Sequence, residues 1–125
     1  MGRPAGASAE LAALLDSAWV RDLETNPVVR LREGLDVERL PALGYEAAEE
    51  RAAFSRRQLD RAFAIDAAAL SADERVTLET LVWQAEMAVE GHRYFWLRSV
   101  LTPYSSVLRS YSQVFPLLPP AGDGP

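Results

Sequence analysis

Leu70-Ser71-Ala72-Asp73-Glu74-Arg75, L-S-A-D-E-R, is the stretch whose reading decides the fold. Ser71 and Glu74 stand three apart in front of an apolar-periodic run, which is the spacing of a capping box. There the serine hydroxyl accepts from the amide of the third helical residue, whose carboxylate accepts from the serine amide. The signal predicts a long helix that runs from here to about Leu101, before Thr102-Pro103. Val76, Thr80, Trp83, Met87 and Tyr94 fall on one of its faces, and Leu78, Leu81, Val82, Ala85, Val89 and Trp96 on another. Two apolar faces predict burial from two sides, and so a central helix.

Upstream, Tyr45 to Leu70 is expected to form a second long helix. Its stripe of Ala48, Ala52, Ser55, Leu59, Ala62, Phe63 and Ala69/Leu70 is mostly small, which suits close helix packing. Arg56, Arg57 and Arg61 lie with Asp60 on the wetter side, as a solvated flank. Leu11, Leu14, Leu15, Ala18, Trp19 and Leu23 recur in steps of three and four and predict the first long helix, with Ser8 as its N-cap. Trp19 and Trp83 are expected to be core anchors. Asn26-Pro27 stops this helix, because the residue before proline avoids the α region. Asn26 then caps a short helix with Pro27 at its first position, closed by Gly34. Leu35 to Gly44 reads as a connector with hydrophobic pegs. No strand alternation appears, so the expected fold is all-α: an antiparallel, bundle-like arrangement of three long helices plus short ones. Residues 1–8 are expected to be a flexible N-terminus, 9–118 a helical domain, and 119–125 a Pro/Gly-rich tail.

The totals narrow the function. At 125 residues the chain is the size of one ordinary domain. A net charge of −5 disfavours a nucleic-acid partner. No apolar run approaches the roughly 20 residues of a bilayer span, so no membrane partner is expected. Glu10, Asp16, Arg21 and Asp22 break up the first apolar segment, which argues against a secretory signal. Cysteine is absent, which removes disulfides, thiolate metal sites and cysteine nucleophiles, and a cytoplasmic location is expected. All thirteen basic residues are arginine, a bias with no physical cause in the fold.

Chemistry, if present, is concentrated in Glu90 to Ser106, E-G-H-R-Y-F-W-L-R-S-V-L-T-P-Y-S-S. A zinc site takes three or four protein ligands, whereas histidine and cysteine together supply only His92. The di-iron helical pattern needs glutamate three before histidine, and that position is Val89. Glu86 and Glu90 share a face as an exposed charged pair, with Arg93 placed to relieve Glu90; His92 is expected to be packed. Ser105 and Ser106 stand in no nucleophile elbow. Tyr94, Phe95 and Trp96 point about 100° apart on a helix, so they form no stacking platform and are expected to be core on several sides. These residues give no catalytic apparatus and no metal ligand set.

The order of features carries a resemblance. The run L-L-D-S-A-W-V-R-D-L-E-T-N-P, then A-L-G, then R-R-Q-L-D-R-A-F-A-I-D-A-A-A-L-S-A-D-E-R, is followed by H-R-Y-F-W-L-R-S-V-L-T-P-Y-S-S-V-L and Q-V-F-P-L-L-P. From about Leu11 to Leu118 it resembles the N-terminal portion of the bacterial domain-of-unknown-function family 885. The individual motifs are soft; their order and spacing give the match its weight. Full-length members are similar to helical zinc peptidases with a downstream His-Glu-x-x-His helix, in which two histidines hold zinc and the glutamate is the general base. Nothing in this sequence matches that motif.

The resemblance therefore implies a non-catalytic helical segment, truncated before the metal-binding half, that forms the cover of an active-site cleft. It implies zinc only in the missing half and no cofactor in this chain. The remainder of the same protein, or a self-partner through exposed apolar helix faces, is the expected partner. Tyr104, Ser105 and Ser106, in the loop after Pro103, are the residues it would offer to substrate. The alternative expectation is a stand-alone helical interaction or dimerisation module.

Overall fold

The computed structural model describes residues 6–97, 112 and 115–117. Among these the fold is all-α, with no strand. Its helices are α1 (Ala7–Thr25), α2 (Pro27–Arg32), α3 (Tyr45–Phe63) and α4 (Ala72–His92), with single 3-10 turns at Ala67–Ala69, Phe95–Leu97 and Phe115–Leu117. No helix among the described residues is long and apolar enough to cross a membrane. Two compact units divide the chain: Met1–Val20 with Ala42–Phe95, and Arg21–Pro41 with Trp96–Pro125.

In the first unit α3 and α4 form the closely packed pair. They are antiparallel: Tyr45, at the start of α3, sets its ring 5.3 Å from that of His92 at the end of α4. Ala52, Ala62 and Ala85 are all buried, and side chains this small let the two backbones approach. The first turns of α1 add Leu11 and Leu14 to a core completed by Ala62, Ile65, Leu70, Leu78 and Leu81. Leu14 is wholly enclosed, which stabilises the fold by about 2–3 kcal/mol relative to leaving it in water. One polar group enters this interior: Gln58 is buried and its Nε2 donates to Ser17 Oγ at 3.0 Å, tying α3 to α1.

The capping box forms as the sequence predicts. The Glu74 amide donates to Ser71 Oγ at 3.2 Å, and the Ser71 amide donates to Glu74 Oε2 at 2.8 Å. Ser8 is not an N-cap. Helix α1 begins at Ala7, with the Gly6 carbonyl accepting from the Ala9 and Glu10 amides. From inside α1 the Ser8 hydroxyl instead helps to hold the Glu74 carboxyl below its ordinary pKa range.

Two helices end sooner than predicted. Helix α3 stops at Phe63 rather than Leu70, because the Asp66 carboxylate accepts from the Ala68 amide and draws the chain into a 3-10 turn. Helix α4 stops at His92 rather than Leu101. Gly91 lowers helix propensity by about 1 kcal/mol there, and the Arg93 and Tyr94 amides tighten onto the carbonyls of Glu90 and Gly91.

In the second unit, Asn26 Oδ1 accepts from Val28 and Val29 at 3.1 and 3.3 Å, with Pro27 buried at the first helical position. Gly34, at φ 72°, closes α2. Its amide donates to Leu31 and the next, Leu35, to Arg30, which together make a Schellman ending. The connector beyond it has no buried pegs: Leu35, Leu40 and Leu43 are exposed. Arginines hold it by its backbone. Arg30 Nε donates to Asp36 O at 2.8 Å and its Nη1 to Leu23 O, and within the first unit Arg51 donates to Ala42 O.

Candidate functional site

Helix α4 is apolar on two faces but buried on one. Leu78, Leu81 and Ala85 face the core, because α1 and α3 both contribute to the cluster on that side. Val76, Trp83 and Met87 are 62%, 60% and 50% exposed. Among the described residues, the helix expected to be buried from two sides is therefore buried from one. Its second apolar face, in steps of four, three and four from Val76 through Thr80 and Trp83 to Met87, stays outside the core and exposed. Trp83 and Trp19 are not buried core anchors; they are 60% and 45% exposed. Phe63, expected in the α3 stripe, is exposed as well, although its neighbour Ala62 is buried.

Between this face and the end of α3 lies a groove of about 380 Å³. Ala62, Leu78 and Ile65 form its floor, Phe63, Val82 and Trp83 its apolar walls, and Glu79 and Glu86 its charged border. These two glutamates are seven residues apart on one flank of α4, about 10 Å along the axis. Among the described residues the lining includes no cation. Phe63 and Glu79 carry no signal in the sequence beyond helical position. The one clue is that α4 is apolar on two sides in a chain with few helices to cover them.

The stretch around His92 is a packed helix end. The His92 ring is half-buried and tilted 34° to Tyr45, and Phe95 meets Tyr45 edge-on at 5.3 Å. Arg93 Nη1 bonds Glu90 at 3.0 and 3.2 Å, which relieves that carboxylate as expected, and the Tyr94 hydroxyl reaches the same group at 3.4 Å. Tyr94 and Trp96 are exposed, so of the three aromatics expected in the core only Phe95 is partly covered. Glu86 and Glu90 do not converge: one borders the groove while the other is held by Arg93. Among the described residues no three histidine, cysteine, aspartate or glutamate side chains are grouped to hold a metal ion. Tyr104, Ser105 and Ser106 lie outside the described residues.

The second unit has its own recess, about 400 Å³, lined by Arg21, Glu24, Thr25, Arg30, Glu38 and Arg39. Its charges are mixed, and Arg30 is committed to two backbone carbonyls. The acidity of Glu74 is displaced. Its hydrogen bond from the Ser71 amide, helped by the Ser8 hydroxyl, holds the carboxyl below its ordinary range. That displacement serves the helix start, far along α4 from Glu86. No family model matches the chain, and comparisons with curated proteins and with solved structures likewise find no match.

Proposed function

We propose that this chain is a non-catalytic helical packing element whose outer α4 face is covered by another polypeptide segment. The observation that carries this reading is the apolar face of Val76, Trp83 and Met87, with Phe63 beside it, exposed among the described residues. Monomeric soluble proteins keep contiguous apolar patches small, and larger ones mark interaction surfaces. The resemblance to the domain-of-unknown-function family 885 gives the reading a specific form. The element is the cover of an active-site cleft in a zinc-peptidase-like hydrolase, whose metal ligands and general base lie outside this chain.

The reading is tested with Nile red binding and zinc-supplemented peptidase assays on the 125-residue chain. The chain is expected to bind the dye, to lose that binding in a Trp83→Lys/Met87→Gln variant with an unchanged melt, and to hydrolyse nothing. Peptide hydrolysis by the chain alone, or dye binding indifferent to the double substitution, overturns it.

A further inference from the structure

Resting on that reading, we propose that the segment covering α4 is an amphipathic helix whose apolar stripe is flanked by arginine or lysine. The groove fixes both halves of this description. Phe63, Val82 and Trp83 line the groove over a buried apolar floor, and an apolar groove is the kind of surface that takes one face of an amphipathic helix. Glu79 and Glu86 stand on its border, separated by two helical turns, with Val82 and Trp83 between them. A helix packed along the groove reaches both carboxylates with cationic residues that are themselves two turns apart. Asp66, which falls between the lining residues Ile65 and Ala67, adds negative charge beside the groove. Arg75, one turn before Glu79, does not line it.

The same charges disfavour a second copy of this chain as the occupant. Two α4 helices paired antiparallel about Val82–Trp83 would set Glu79 of one against Glu86 of the other, carboxylate on carboxylate. A partner with cationic flanks meets attraction at both positions. The chain's net charge of −5 also steers such a partner inward.

The experiment uses two fluorescein-labelled synthetic peptides with one leucine-rich helical face, identical except at two border positions two turns apart. One peptide carries arginine there and the other glutamate. Fluorescence polarisation against the full chain is expected to show the arginine peptide bound about tenfold more tightly at low salt, with the gap narrowing as salt rises. In a Glu79→Lys/Glu86→Lys variant, both positions being exposed, the preference is expected to reverse while the melting temperature holds. Sedimentation of the chain alone is expected to show a monomer.

Equal binding of the two peptides, binding of neither, or a preference unmoved by the charge reversal overturns the cationic-helix proposal. So does a dimer that the same reversal alters. The packing-element reading is judged separately by the dye: if dye binding depends on Trp83 and Met87 but the peptides are not discriminated, the face needs a cover of other chemistry.

Discussion

The two faces of α4 have nearly the same composition and opposite surroundings. Leu78, Leu81 and Ala85 are buried, whereas Val76, Trp83 and Met87, on the same helix and within the same turns, stand at least half exposed. Helical periodicity reports which residues share a face; it does not report whether the chain supplies a neighbour for that face. In this molecule α1 and α3 both take the Leu78–Leu81 side, leaving the larger side chains of the pair outside. An apolar face that the described residues leave exposed is evidence about what packs against it.

The contrast is broken most severely from the buried side. Leu81→Ala is expected to destabilise the chain by about 2–5 kcal/mol, read as a fall in the urea midpoint, through lost transfer free energy and the cavity left behind. Trp83→Ala removes a larger side chain two residues away and is expected to move the midpoint by no more than about 0.5 kcal/mol. If the tryptophan substitution costs as much as the leucine, the outer face is core after all.

Signals that act within a few residues are legible in the sequence; signals that need a neighbour are not. The Ser71–Glu74 box, the Asn26-Pro27 boundary and the Gly34 ending all appear where expected, because each is satisfied by hydrogen bonds to adjacent backbone. Ser8 does not cap because α1 already starts at Ala7, with the Gly6 carbonyl accepting the first amides. Phe63 and the two tryptophans read as core on hydrophobicity alone, which does not count the helices present to enclose them. The groove is hidden for the same reason: its walls are residues expected inside. Gln58, the buried amide linking α3 to α1, sits in a polar register that gives no sign of burial.

A smaller effect separates the start of α4 from both faces. Ser71→Ala removes one half of the capping box and is expected to cost about 1 kcal/mol, by thermal or urea melts, without changing Nile red binding. A substitution that altered dye binding while sparing stability would show that the two ends of α4 are coupled through the outer face.

The smallest effect is in pH. The Ser71 amide and the Ser8 hydroxyl stabilise the ionised Glu74 carboxylate, so its folded pKa lies below the ordinary 4.5. As pH falls, the unfolded chain therefore takes up the proton first. The contribution of the charge is complete above the ordinary value and disappears as pH drops through the lower, folded one. Glu74→Gln keeps a side chain that can close the box but removes the charge. The stability gap between the native chain and this variant should be constant near neutrality, shrink below about pH 4.5, and close once the folded carboxyl is protonated. A gap that persists in full at low pH would mean that the carboxylate acts through geometry alone. The link from α1 to the start of α4 would then owe nothing to charge, and the Ser8 contact would be no stronger than a neutral hydrogen bond.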